Sequence, residues 1–120
     1  MMNIVFVGLG GFIGASTRYL ISLYASKLFT SKIPIGTLTV NILGSLIIGM
    51  ELTLKTSLIS PHMKLFLTTG FLGGLTTFST FSYETMELIE KGELLLAIFN
   101  IALNLLLSLG GAILGRGIIK

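Results

Sequence analysis

The stretch from Gly70 to Ser82 carries the densest potential chemistry in this 120-residue sequence. Adjacent glycines at Gly73 and Gly74 lower helix propensity, and the hydroxyl-rich, partly β-branched residues after them lower it further. Hydroxyls also compete for backbone hydrogen bonds. The pattern predicts a helix interrupted between Gly73 and Ser79. An interruption frees carbonyls at the end of the first half-helix and N–H groups at the start of the second. Freed carbonyls can coordinate a cation such as sodium. Gly73 and Thr76 are the best candidates, because a glycine carbonyl is not crowded by a side chain. No carboxylate lies within the interruption, so a divalent ion would be poorly compensated. Phe78 and Phe81 are spaced to share one helix face. Ring faces attract cations and ring edges can stabilise a small anion, so an aromatic pair beside polar groups suits anion passage. Ordinary packing is the other reading.

Other polar residues interrupt apolar runs. Thr37, Asn41 and Ser45 are spaced at one helical turn, as are Asn100, Asn104 and Ser108. An amide in hydrocarbon needs a partner. Each set reads either as glue between helices or as a polar track, and two such sets favour a lined pathway. Arg18 sits inside an apolar run, with three readings open: snorkelling, pairing with a carboxylate, or attracting anions to a vestibule. Glu84 and Glu87 fall late in the third run, and Glu51 near the end of the second. His62 beside Pro61 reads as a solvated loop histidine.

The elements that must position these groups are membrane spans. The sequence is 52% hydrophobic and 11% charged, against about 25% charged in an ordinary soluble domain. A soluble fold this small would lack the polar residues to cover its core. A helix needs about 20 apolar residues to cross the hydrocarbon. Four runs qualify, at 3–24, 35–54, 64–89 and 94–113, with Pro34 and Pro61 just before spans. The predicted class is an all-α membrane protein of one four-helix domain, its third helix broken. The N-terminus lacks the basic region of a signal peptide. Fifteen glycines include pairs one turn apart: Gly10 and Gly14, Gly70 and Gly74, Gly111 and Gly115. Ser45 and Gly49 continue the pattern. Such pairs let helices approach closely, within a chain or between subunits. Lys55, Lys64, Arg116 and Lys120 fall on one side, against Lys27, Lys32 and Lys91 on the other. This weak bias allows insertion both ways round and makes an antiparallel dimer possible.

Three segments carry a resemblance to a known family: Gly10 to Tyr19, Gly36 to Gly44, and Gly70 to Phe81. With its length and four-run layout, the chain resembles the fluoride-specific ion channels of the Fluc (CrcB) family. The resemblance implies an antiparallel, dual-topology homodimer with two fluoride pores. It also implies a structural sodium ion at the dimer centre, on backbone carbonyls that fall at Gly73 and Thr76. The implied fluoride pathway is Asn41, Phe78, Phe81, Thr80, Ser108 and Asn104. Asn104 stands where the family more often carries a tyrosine. Arg18 and Glu84 match positions with vestibule or structural roles. The implied activity is passive export of fluoride through a multi-pass protein of the plasma membrane or cell inner membrane, with membrane lipid around it.

Other functions fit less well. A proton-coupled multidrug exporter would need a carboxylate in the first span, which has none. A structural subunit of a larger complex would carry no ion flux alone. No phosphate-binding loop motif is present, and one loop histidine makes a hydrolytic triad improbable, so no enzyme is predicted. Cysteine is absent, which excludes disulfides and thiolate metal sites. Basic residues are too sparse for a nucleic-acid partner.

Overall fold

The computed structural model describes residues 1–53 and 59–119. Leu54 at the end of the second predicted span, Lys55, and Lys120 lie outside the described residues. Among the described residues the chain is all-α. Helix α1 covers Met2–Leu28 and α2 covers Ile35–Thr53, which begins directly after Pro34. A short α3, Pro61–Lys64, opens the third run. Pro61 stands where a missing N–H costs little, and the Ser60 hydroxyl accepts from the Met63 N–H at 3.2 Å. The chain continues as a π-helical segment, Leu65–Leu72, and a single turn, α4, Gly73–Leu75. After a break come α5, Phe78–Glu90, and α6, Leu94–Ile119. Gly92, with φ 77°, makes the turn between α5 and α6, a conformation glycine adopts without strain.

The predicted interruption is present and narrower than the sequence suggests. Only Thr76 (φ −87°, ψ 155°) and Thr77 (φ −153°, ψ 122°) are extended. Gly73 remains helical at φ −62°, ψ −36°. Gly74 serves close approach, since a Cβ there would lie 2.6 Å from the Gly11 carbonyl oxygen and 2.9 Å from the Ala15 nitrogen. The π-helical stretch before the glycines is a finding that the apolar sequence did not announce.

The glycine pairs pack helices within the chain. A Cβ on Gly10 would strike the Phe66 carbonyl, and one on Gly14 the Phe71 carbonyl. On the other seam, a Cβ on Gly49 would meet the Ala112 carbonyl and one on Gly115 the Leu46 carbonyl. Residue numbers rise together across both seams, so α1 runs parallel to the 65–75 segment and α2 parallel to α6. Such backbone contact supplies dispersion attraction where hydrocarbon surroundings give no hydrophobic drive. A small core of Val40, Leu72 and Leu75 fills the space between the seams, with Ile21, Ile47 and Phe71 against it.

Large apolar side chains face outward, including Phe12 at 72%, Leu106 at 69% and Ile113 at 74% exposure. Among the described residues two helices, Met2–Leu28 and Leu94–Ile118, are long and apolar enough to cross a bilayer. At 1.5 Å per residue the second reaches about 38 Å, against about 30 Å of hydrocarbon. Lys32 joins Glu93 at 2.8 Å, which puts the connection after α1 and the one after α5 at the same end. Both side chains are solvated, so the pair adds little stability. His62 is exposed and stacks on Phe6, with ring centroids 4.8 Å apart.

Gly14→Val should lower the thermal stability of the detergent-solubilised protein, because a crowded seam costs on the order of 1–3 kcal/mol. Gly8→Ala, with nothing within 4 Å of its Cβ, should stay near the parent. Equal melting temperatures for all three proteins would contradict the close α1 crossing.

Candidate functional site

The break is held by a side chain from another helix. Asn41 Oδ1 accepts the Thr77 N–H at 3.0 Å, and Asn41 Nδ2 donates to the Thr77 carbonyl at 3.3 Å. In a continuous helix the Thr77 N–H would go to the Gly73 carbonyl four residues back. The primary amide of Asn41 therefore replaces the helix as partner for a whole peptide residue. Thr77 also caps α5, its hydroxyl accepting from the Thr80 N–H at 3.1 Å. The Arg18 Nε–H donates to the Gly74 carbonyl at 3.0 Å, placing a cation at the end of the first half-helix. Among the described residues Arg18 makes no ion pair.

The Asn41 amide continues into a chain of hydrogen bonds. Its Nδ2 donates to Asn104 Oδ1 at 3.0 Å. Asn104 Nδ2 donates to the Asn100 carbonyl at 2.9 Å and to Asn100 Oδ1 at 3.1 Å. Asn100 Nδ2 donates to the Thr85 hydroxyl at 2.9 Å, and that hydroxyl donates to the Phe81 carbonyl at 2.8 Å. The path runs from the break through α2 and α6 to α5. Asn100, Asn104 and Thr85 are buried, so each bond is shielded from water and costly to leave unmade.

Beside this network lies a groove of about 500 Å³. Asn41, Phe78, Phe81, Asn104 and Ser108 line it, together with Gly73 and Thr76. Phe78 is 74% exposed and Phe81 is 8% exposed. Their ring centroids are 5.3 Å apart at an angle of 52°. Thr80 is not among the lining residues; its hydroxyl accepts from Thr77. Arg18 and Glu84 also lie off the groove. Glu84 borders a second cavity, of about 290 Å³, beside Thr37, Ser22 and Ser26. The Thr68 hydroxyl, on the groove wall, meets the Glu51 carboxylate oxygens at 2.7 and 2.6 Å.

Thr77, Thr85 and the Thr68–Glu51 pair were not singled out as site residues from sequence. Thr85 looks like any helical threonine until Asn100 arrives from the next helix. The spacing of Asn100 and Asn104 did signal that both share a face.

Residues 5–116 match the family described as CrcB-like protein, Camphor Resistance (CrcB). The chain belongs to the CrcB family. A relative from Clostridium novyi, named fluoride-specific ion channel FluC, is 59% identical over 118 residues, covering 97% of this chain and 92% of the relative. One of the same name from Clostridium perfringens is 58% identical over 112 residues, covering 92% and 88%. Another from Ruminiclostridium cellulolyticum is 50% identical over 122 residues, covering 100% and 94%. These CrcB relatives are named as channels, not as enzymes. With its long apolar helices, this CrcB chain is a membrane protein.

Asn41→Asp should destabilise the fold. A carboxylate cannot donate to the Thr77 carbonyl or to Asn104 Oδ1, and each buried group left unpaired costs about 1–3 kcal/mol. Thermal unfolding in detergent would read the loss, and faster hydrogen exchange at the Thr77 amide would locate it. Unchanged stability and exchange would contradict the clamp.

Proposed function

We propose that this chain forms a fluoride-selective channel that passively exports fluoride and lowers its concentration in the cytoplasm. The observation that carries the reading is the gathering of Asn41, Phe78, Phe81, Asn104 and Ser108 on one groove. Their chemistry suits a small anion that must shed water. Neutral amides and hydroxyls line such a path without trapping the ion in a full countercharge. The positive edges of the tilted rings add a weak, geometrically fixed attraction. Among the described residues no carboxylate lines the groove, and that of Glu51 is engaged by the Thr68 hydroxyl on its wall. The names of the relatives point to the same ion. Hydrofluoric acid enters an acidified cell uncharged and dissociates inside. A membrane potential negative inside then drives the anion out through any selective path.

The reading includes four crossings of the plasma or inner membrane, with the break at Thr76 and Thr77 within the bilayer. Irregular backbone survives there only when protein satisfies it, which is the task of Asn41 and Arg18. It also includes an antiparallel, dual-topology homodimer. Phe78 and Gly73 are exposed on the single chain, and a second subunit would cover them. Thr80 stays in the proposed pathway only if the partner's arrival brings the ion past the α5 N-terminus. Glu84 and Arg18 are proposed as vestibule and structural residues respectively.

A structural sodium ion at the dimer centre belongs to the same reading, held by the Gly73 and Thr76 carbonyls of both subunits. The residues fit such an ion. The Thr77 N–H that would occupy the Gly73 carbonyl in a helix is engaged by Asn41 instead. Around Gly73, a Cβ would meet only the Thr68 carbonyl oxygen, at 3.9 Å, so the single chain leaves room for a partner. The donor set is neutral, which suits a monovalent ion better than a divalent one. When bound, the ion would supply a positive charge that offsets converging carbonyl dipoles.

Purified protein in liposomes should release fluoride and hold back chloride, measured with ion-selective electrodes. Equal release of both anions, or of neither, would overturn the channel reading. Phe78→Ile and Phe81→Ile keep apolar bulk and remove the ring edges, so each should slow fluoride efflux. Parent-like rates in folded variants would remove the rings from the mechanism. Replacing all sodium with a large organic cation should reduce efflux and dimer stability together. Tags at the C-terminus should be reachable from both sides of the membrane, whereas a single orientation would exclude the antiparallel dimer.

A further inference from the structure

The groove's amides are already spent on the protein. One Asn41 Nδ2 serves both the Thr77 carbonyl and Asn104 Oδ1. Asn104 Nδ2 serves two oxygens of Asn100. The Thr76 hydroxyl donates to the Leu72 carbonyl at 2.9 Å. A ligand in the groove would have to break one of these bonds to gain a donor from any of the three residues. Two lining hydroxyls are different. Ser108 Oγ is enclosed and has no hydrogen-bond partner among the described residues. Ser45 lines the same groove, and its hydroxyl makes no hydrogen bond among the described residues.

The packing register brings these two serines opposite each other. Helices α2 and α6 run parallel, and Asn41 meets Asn104, 63 residues on. Two turns further, Gly49 lies against Ala112, at the same separation. Ser45 and Ser108 occupy the rung between these two contacts. A helical serine usually returns its proton to a carbonyl in the preceding turn. Here neither does, so turning either hydroxyl toward the groove gives up no existing bond.

We infer that Ser45 and Ser108 form a two-hydroxyl station for a small, strongly hydrogen-bonding anion, one helical turn along the groove from Asn41. The inference rests on the fluoride reading and assigns its donors. Asn41 and Asn104 line the path with amides already bonded within the protein, and the serine pair adds hydroxyl donors that are free to turn to the ion. Fluoride is the halide that gains most from O–H donors, so the station favours it over chloride. Ser45 thereby acquires a role in selectivity.

The test is efflux from liposomes containing the full-length protein as Ser45→Ala, Ser108→Ala, the double variant and Ser45→Thr. Each alanine change removes one atom from a site with no internal hydrogen bond, so melting temperatures should match the parent. Fluoride efflux should fall about tenfold or more in each single variant, the factor expected for losing one hydrogen bond to a charged group. The double variant should be little slower than either single variant, because one station is lost in each case. Ser45→Thr keeps the hydroxyl and should lose less fluoride efflux than Ser45→Ala. Parent-like fluoride efflux from Ser45→Ala would overturn the station while fluoride conduction by the parent still stood. A parent that released no fluoride would overturn both. Loss of efflux in Ser45→Thr equal to that in Ser45→Ala would also overturn it, since bulk rather than the hydroxyl would then matter.

Discussion

A peptide group turned out of a helix in an apolar setting must find another partner, and at Thr77 that partner is the Asn41 side chain. Much else depends on this pairing. It lets the third run stop being helical for two residues without leaving its N–H and carbonyl unpaired. It sets the start of α5, and with it the positions of Phe78 and Phe81. It releases the Gly73 carbonyl from the bond a continuous helix would make. The same amide reaches Asn104, so the break is tied to α6 as well as α2. A change at Asn41 is therefore a change to backbone geometry before it is a change to a groove wall.

The pairing works because the surrounding helices cannot slide. Gly10, Gly14, Gly70 and Gly74 bring α1 and the third run into backbone contact, and Gly49 and Gly115 do the same for α2 and α6. Any Cβ at these contacts would push the helices apart. Arg18 reaches Gly74 only because the first seam is this close. Asn41 and Asn104 meet only because the second seam is in register. Small residues thus fix the positions of the polar ones, although they carry no chemistry themselves.

Satisfaction of the amides also divides the groove by task. Groups whose hydrogen bonds are complete give it shape, and groups whose bonds are incomplete are available to a ligand. By this measure the asparagine amides are engaged by the protein and the serine hydroxyls are the groups left open to a ligand, with the aromatic pair alongside. The polar residues of one helix face had looked equivalent in sequence, since spacing reports a shared face and not a bonding state.

The sequence by itself determined the all-helical class, the break after the paired glycines, the closeness of the small-residue seams and the family. It did so because hydrocarbon length, helix propensity and side-chain size act locally and leave their period in the chain. It also marked most of the groove, since Asn41 and Ser45 on one helix, and Asn104 and Ser108 on another, stand at helical spacing and Phe78 and Phe81 follow the break. Only the tertiary structure decided that the break is confined to Thr76 and Thr77, that Gly73 and Gly74 stay helical, and that Arg18 bonds a carbonyl. It alone brought Thr85 to Asn100 and set Ser45 opposite Ser108. Each of these depends on which residue of another helix arrives at hydrogen-bonding distance, and that is fixed by the register between helices, which no single helix encodes.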